Sequence, residues 1–375
     1  MSNLEDKEKE GYKTAFKSTS IYGGVQVVTI IITILRSKLT ALWLGTTGFG
    51  LLSVFNSTIT LVSTTSNLGL SSSAVRDISK SNMANNQLVL CETITAISRC
   101  VILTGLVGAL FMFLFSSKIS YWTFGNSDYA YAYMFLAIVV LINNVYSGHY
   151  AVLQGLRKIK SMAIAKILGA IIGLLIIMPC YYLGGEKGIV PSLILSSISA
   201  LIISKYFTSR LDLQRVKQSI RESFTIGKST ITLGIMMMAT SFSASLVELI
   251  IKVFITRYGG LEEVGLYQAG WAINTQYLGL VFTAMATDYF PRLTQQFQSK
   301  NQRIVNNTIN QQSEIALLIL APLICGMVVF LPIVISILYT SEFSLVVPMT
   351  RLLLIGSLIK AGSWAVSFLF LAAGD

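Results

Sequence analysis

From residue 14 onward the chain alternates between long apolar runs, nearly free of charge, and short polar gaps. Ten runs stand out: 14–41, 47–72, 88–116, 130–153, 163–183, 188–208, 229–256, 264–289, 312–339 and 346–372. An apolar helix of about 20 residues crosses the ~30 Å hydrocarbon layer of a bilayer. The pattern therefore predicts an all-α polytopic membrane protein with about ten transmembrane helices and no room for a large soluble domain. Composition points the same way, because 53% of residues are hydrophobic and 12% charged, against about 25% charged in soluble domains. The function is then exercised across or within a membrane.

The formal net charge of +11 suggests nucleic acid at first sight, but the basic residues are not gathered into one patch. They fall in alternate gaps: Arg76 and Lys80; Arg157, Lys158, Lys160 and Lys166; Lys205 to Lys228; Arg292, Lys300 and Arg303. The intervening gaps hold Lys118, Lys187 and Arg257 beside several acids. This is the positive-inside pattern, which puts the N-terminus in the cytosol and removes the case for nucleic acid. Trp43, Tyr121, Trp122, Tyr129, Tyr181, Tyr182, Tyr258 and Tyr339 fall at the predicted outer ends, where amphipathic rings favour the interface. The first residues form a mixed-charge tail rather than a cleavable signal, so the first run is expected to act as an uncleaved anchor. The basic segment 210–228 reads as an amphipathic helix on the anionic inner leaflet, in contact with membrane lipids. It divides the chain into a cytosolic tail (1–13), an N-lobe of six spans (14–209), the linker itself (210–228) and a C-lobe of four spans (229–375).

The two lobes carry related sequence. Gly45-Thr46-Thr47-Gly48-Phe49-Gly50-Leu51 and Gly260-Leu261-Glu262-Glu263-Val264-Gly265-Leu266 both read G-x-x-x-x-G-L, 215 positions apart. The same offset places Arg76-Asp77-Ile78-Ser79 near Pro291-Arg292-Leu293-Thr294. Six spans separate equivalent points, so the halves share one orientation. Parallel repeats about an axis along the membrane normal are a transporter architecture, with the substrate site at the repeat interface. The second repeat stops near the equivalent of Lys160, and the natural protein is expected to continue beyond residue 375.

The residues Trp43-Leu44-Gly45, Gly48-Phe49-Gly50-Leu51, Asn67-Leu68-Gly69-Leu70 and Ala74-Val75-Arg76 form a pattern that resembles the polysaccharide and O-antigen flippases. These belong to the multidrug/oligosaccharidyl-lipid/polysaccharide (MOP) exporter superfamily, which is MATE-like. The resemblance implies two six-helix-type lobes arranged as a V about a central cavity. It also implies an inner-membrane protein of polysaccharide or lipopolysaccharide biosynthesis that moves an undecaprenyl-pyrophosphate-linked oligosaccharide from the inner to the outer leaflet by alternating access. Partners implied are the lipid-linked oligosaccharide, a proton or sodium counter-ion, and a polysaccharide polymerase with its chain-length regulator.

A charge inside a span costs about 2.5–3.5 kcal/mol on insertion scales and marks function. The basic candidates for a phosphate-binding cavity are Arg36, Lys38, Arg99, Lys252, Arg351 and Lys360. Lys252 falls between Arg36 and Lys38 when the repeats are superposed, so each lobe places cations at one height in its first helix. Arg grips phosphate oxygens as a fork and Lys as a point charge. Two plainer readings stand beside this one: Arg36 and Lys38 snorkel to the interface, and Glu248 pairs with Lys252 at i,i+4. Arg99 and Glu314 occupy equivalent positions with opposite charge. Arg351 and Lys360, nine residues apart, lie on opposite faces of a helix.

The second helix of each lobe is polar along one face, with Asn56, Thr60, Ser63 and Asn67 in the first and Gln268, Trp271, Asn274 and Thr275 in the second. These groups suit sugar hydroxyls, and equally suit interhelical hydrogen bonding. Candidates for ion coupling are Asp288, Glu314 and Glu248. His149 is read as a packing histidine sooner than a proton relay, and Pro322 and Pro332 as kinks in the ninth span. The cysteines, Cys91, Cys100, Cys180 and Cys325, form no CxxC pair and are expected to be small buried hydrophobes. No metal cluster, cofactor motif or Ser/His/Asp set is present in the sequence, and the outer gaps are too short for a polymerase or ligase site, so an enzyme is not expected. The competing transport reading is a multidrug or cation antiporter of the same superfamily. Intramembrane bases outnumber acids (Glu92, Glu248, Asp288 and Glu314) six to four, which favours an anionic cargo.

Overall fold

A computed structural model describes residues 2–83, 86–211, 220–298 and 302–373. Side chains before Gly24, those of 220–226, 228, 229, 284, 287, 288, 291, 295, 298 and 370–373 are outside the described set, as are residues 212–219 of the basic linker. The described chain is helical throughout: α1 (Ser2–Asn67), α2 (Leu70–Met83), α3 (Gln87–Leu114), α4 (Ser116–Phe124), α5 (Ala130–Gly155), α6 (Ile159–Gly184), α7 (Ile189–Ser209), α8 (Ile220–Ala272), α9 (Gly279–Gln298), α10 (Gln302–Leu338) and α11 (Val347–Ala373).

Seven stretches are long and apolar enough to cross a membrane, but three of them run to 44, 51 and 54 residues. One crossing takes about 20, so each of the three must hold two. Each is broken near its middle. The first breaks at Gly45 (φ 62°, ψ −167°), the second at the turn Gly185–Gly188, and the third at Gly260 (φ 85°, ψ 178°). Counting two crossings for each gives the ten expected from hydropathy, among the described residues. Gly45 and Gly260 both occupy the region of φ/ψ space that only glycine enters readily. They are the opening glycines of the two G-x-x-x-x-G-L motifs, so the sequence repeat is also a repeat of backbone geometry.

The structure also departs from the hydropathy reading. The second span ends earlier than expected, at Leu68 (φ 51°) and Gly69 (φ 66°), and α2 continues as a separate amphipathic helix. The outer gap after α3 holds the short helix α4. A π turn occupies Ile273–Leu278, whereas the equivalent residues 58–63 are α-helical. α10 runs unbroken past Pro322 and Pro332. Cys325 is exposed, contrary to the expectation for the cysteines, while Cys91 and Cys100 are buried.

The chain forms two compact units, Met1–Leu44 with Leu51–Leu261, and Gly45–Gly50 with Glu262–Asp375. In the first unit Phe55, Tyr133, Leu136, Ile177 and Tyr181 anchor an apolar core shared by α1, α5, α6 and α7. α3 approaches α5 through small residues: a Cβ on Gly105 would meet Asn144 Cβ at 3.0 Å, and one on Gly148 would meet Val101 at 3.2 Å. Close approach through glycine is the usual basis of helix packing in lipid, where apolar burial supplies little drive. The first limb of α8 is fastened to this unit at several heights. Gly69 and Gly234 touch backbone to backbone, Thr230 donates to Asp77 at 2.6 Å, and Arg257 donates to the carbonyls of Trp122 and Tyr121 at 3.0 and 2.8 Å. The last contact puts a cation at the C-terminal end of α4, where the end carbonyls and the helix dipole favour it.

The second unit is organised around an aromatic group. Phe49 meets Tyr339 and Phe343 edge to face, with centroids 5.7 and 5.5 Å apart, and the Tyr339 hydroxyl donates to Ala269 O at 3.2 Å. Gly265 lies directly on the backbone of Thr46. In both units large apolar side chains are exposed, including Val107, Leu114, Phe330 and Leu352, which suits helices long and apolar enough to cross a membrane.

Candidate functional site

The strongest candidate in the first unit is a charged pair on α8. Glu248 and Lys252 stand one turn apart on one helical face, as i,i+4 spacing requires. Lys252 Nζ lies 2.6 Å from Glu248 Oε1 and donates to Ser57 Oγ at 2.6 Å. The Ser57 hydroxyl in turn donates to the same carboxylate oxygen at 3.2 Å, closing a three-membered ring of polar contacts between α1 and α8. The pair is asymmetric, because Lys252 is 2% exposed and Glu248 38%. Lys252 is the one charged side chain buried among the described residues. A buried ammonium persists only with a counter-charge and hydrogen bonds, and Glu248 and Ser57 supply both. An anion that reaches Lys252 must therefore displace a carboxylate that is itself partly open to the surroundings.

The polar face of the second span divides. Asn56 and Thr60 are exposed, whereas Ser63 and Asn67 border a cavity of about 250 Å³. Behind it stands a closed amide network. Asn67 Nδ2 donates to Asn144 Oδ1 at 3.0 Å and to Ser147 Oγ at 3.1 Å. Asn144 Nδ2 donates to Ser66 Oγ at 3.1 Å and Val140 O at 2.9 Å, and Asn67 Oδ1 accepts from the Ser71 backbone N–H at 3.0 Å. On this face Asn67 is committed to its neighbours, whereas Ser63 holds a buried hydroxyl with no partner among the described residues.

Arg36 is half-buried, lies within electrostatic reach of Tyr181 and makes no hydrogen bond or ion pair among the described residues. Lys38 and Arg99 are half-buried, each with an interaction of its own. In the second unit Arg351 donates to Val328 O at 3.2 Å, and Lys360 stands 5.7 Å from the Phe282 ring. Trp271 stacks on Tyr267 at 6.0 Å, Asn274 Oδ1 accepts from the Ser357 hydroxyl at 2.6 Å, the Thr275 hydroxyl donates back to Trp271 O at 2.8 Å, and Gln268 is half-buried. Glu314 is exposed on α10. Asp288 lies outside the described side chains. His149 accepts or donates at Nδ1 with Thr208 at 3.0 Å, a satisfied packing contact. Among the described residues no group of three or more His, Cys, Asp or Glu side chains could hold a metal.

Sequence reasoning missed Ser57, Asn144 and Ser147. The adjacent amides Asn143-Asn144 in the middle of an apolar run were the available signal, since a polar pair at that depth requires partners.

Ten candidate crossings and glycine-broken repeats define a multi-pass, all-helical membrane protein with a buried charge on one spanning helix. The fold matches that of an inward-facing multidrug resistance MATE family transporter of the MOP superfamily, with a TM-score of 0.78 at 15% identity over 93% of this chain and 84% of that one. It also matches a MOP superfamily transporter from Pyrococcus furiosus, with a TM-score of 0.65 at 16% identity over 96% and 82%. In sequence the chain is 22% identical to the Lipid III flippase of Escherichia coli over 347 residues, 90% of this chain and 80% of the relative. Residues 15–297 match the polysaccharide biosynthesis protein family, and the chain belongs to that family.

Proposed function

We propose that this chain is a flippase that carries an undecaprenyl-pyrophosphate-linked oligosaccharide, a repeat unit of O-antigen or another polysaccharide, from the inner to the outer leaflet of the cell membrane. The observation that carries the proposal is membership of the polysaccharide biosynthesis family, together with similarity to a Lipid III flippase along 90% of the chain. The buried Lys252 supports it. In the resting protein Glu248 neutralises the ammonium. Pyrophosphate, with more charge and more acceptor oxygens, competes for the same donors. Glu248, released and partly open, is then free to take a proton or sodium ion and to reclaim Lys252 when the cargo leaves. That exchange is the route by which an ion gradient drives alternating access. The charge alternation of the gaps supports a cytosolic N-terminus.

The test is translocation in proteoliposomes. A lipid-pyrophosphate-linked oligosaccharide with a fluorescent glycan becomes accessible to an impermeant quencher faster with the protein than without it, and collapse of a proton or sodium gradient slows the gain. Transport of cationic dyes with no movement of the lipid-linked glycan would instead support the multidrug antiporter reading, which rests on the fold alone.

A further inference from the structure

The cavity beside Asn67 carries chemistry that the phosphate reading leaves unused. Nine of its twelve lining residues bear a hydroxyl or a side-chain amide, the others being Gly69, Met237 and Met238, and none is charged. We propose that it is a subsite for one uncharged sugar ring of the cargo, an inference that rests on the flippase reading above.

The cavity's inner wall is already fixed. The hydrogen bonds joining Asn67, Asn144, Ser147 and Ser66 hold these groups in place without a ligand, so little ordering remains to be done on binding. Around that wall Ser63 Oγ is buried and unpartnered, and Thr64, Asn143 and Ser241 make no side-chain hydrogen bond among the described residues. Ser63 is the buried member, and buried polar groups are normally paired; Thr64 and Asn143 are half-buried and Ser241 is exposed. A ring of unspent donors and acceptors, all neutral, matches sugar hydroxyls, which donate and accept alike. It does not match phosphate, because no cation lines the cavity, nor a uronic acid or amino sugar, whose charge would find no counter-charge there. Met237 and Met238 add an adaptable apolar surface for the C–H face of a pyranose. At about 250 Å³ the space is smaller than the roughly 300–1,000 Å³ of drug-sized sites, so it holds a single ring rather than a repeat unit.

Position supports the assignment. The cavity is built on the same two helices as the ion pair. Ser63 lies six residues from Ser57 on α1, and Ser241 seven from Glu248 on α8. At 1.5 Å of rise per residue both separations are about 10 Å, which a pyrophosphate with a short glycan spans.

The experiment uses the full chain in nanodiscs and two probes, undecaprenyl pyrophosphate and the same lipid bearing a neutral oligosaccharide, each competing with a fluorescent lipid-linked glycan. The unaltered protein binds the glycan-bearing lipid at least tenfold more tightly than the sugar-free one. Asn143→Leu with Ser241→Ala removes free hydrogen-bonding groups and leaves the Asn67–Asn144 wall intact. Ser241→Phe, on an exposed position of α8, fills the space instead. Each reduces the preference to about twofold or less. A preference retained in both variants, or absent from the unaltered protein, overturns the sugar subsite. The flippase reading fails separately, if the proteoliposomes above move no lipid-linked glycan.

Discussion

Glu248→Leu combined with Lys252→Met leaves a protein about as stable as the parent and unable to translocate a pyrophosphate-linked cargo. The two halves of this expectation have different causes. Replacing a whole buried ion pair by apolar side chains of similar volume is often neutral for stability, whereas removing one partner strands the other, at about 3–5 kcal/mol when the stranded charge is buried. Lys252, 2% exposed, is such a charge and Glu248, 38% exposed, is not. The single variants should therefore rank unequally. Glu248→Leu lowers the thermal midpoint in detergent most, by an amount corresponding to about 3 kcal/mol or more. Lys252→Met costs less, because the remaining carboxylate is 38% exposed rather than enclosed and keeps its bond from Ser57. The double variant recovers most of the loss.

Transport ranks differently. Lys252→Met and the double variant both fail to move the lipid-linked glycan, since both lack the cation. Lys252→Arg keeps the charge but must fit a larger head group where the ammonium sits 2.6 Å from both partners, and should retain partial activity. Midpoints and proteoliposome rates measured on the same preparations separate the two effects. A double variant that transports at the parental rate would remove Lys252 from the path of the phosphate and leave it a role in helix packing.

The spans were legible in the sequence because length and hydropathy are local properties, and lipid enforces both. The glycine breaks were legible as motifs, for a positive φ at Gly45 and Gly260 has a residue signature that a repeat makes conspicuous. The Glu248–Lys252 pair was legible through its i,i+4 spacing. Ser57 was not, because its contact with Lys252 joins residues 195 positions apart, and nothing in a serine-containing helix indicates which helix it will face. The amide network was hidden for the same reason: Asn67 and Asn144 meet across two helices. Helix α4 was read as an outer loop because nine residues are too few to show a period, and its end is secured by an arginine from a distant helix. The π turn at Ile273–Leu278 adds a residue to one turn of the ladder, rotating the polar face that strict helical spacing assigned to Asn274 and Thr275.

Gly265→Ala is expected to prevent the protein from accumulating in the membrane, or to lower its thermal midpoint by far more than any neighbouring glycine substitution. The methyl group would stand 2.0 Å from Thr46 O and 3.1 Å from Gly50 N. These are backbone atoms, which cannot rotate away as a side chain can, so the two motifs must separate. Overpacking of a tight contact costs about 1–3 kcal/mol when side chains can adjust, and more when they cannot. Gly260→Ala meets nothing within 4 Å, and its cost is the strain of an alanine at φ 85°, about 1–3 kcal/mol. Gly169→Ala, in the middle of α6 with open space around it, should be neutral or slightly stabilising, since alanine is favoured over glycine in a helix by about 1 kcal/mol. Fluorescence-detected size exclusion after graded heating ranks the three. If Gly265→Ala tolerated heating as well as Gly169→Ala, the close approach of the two G-x-x-x-x-G-L motifs would not be what holds the second unit together.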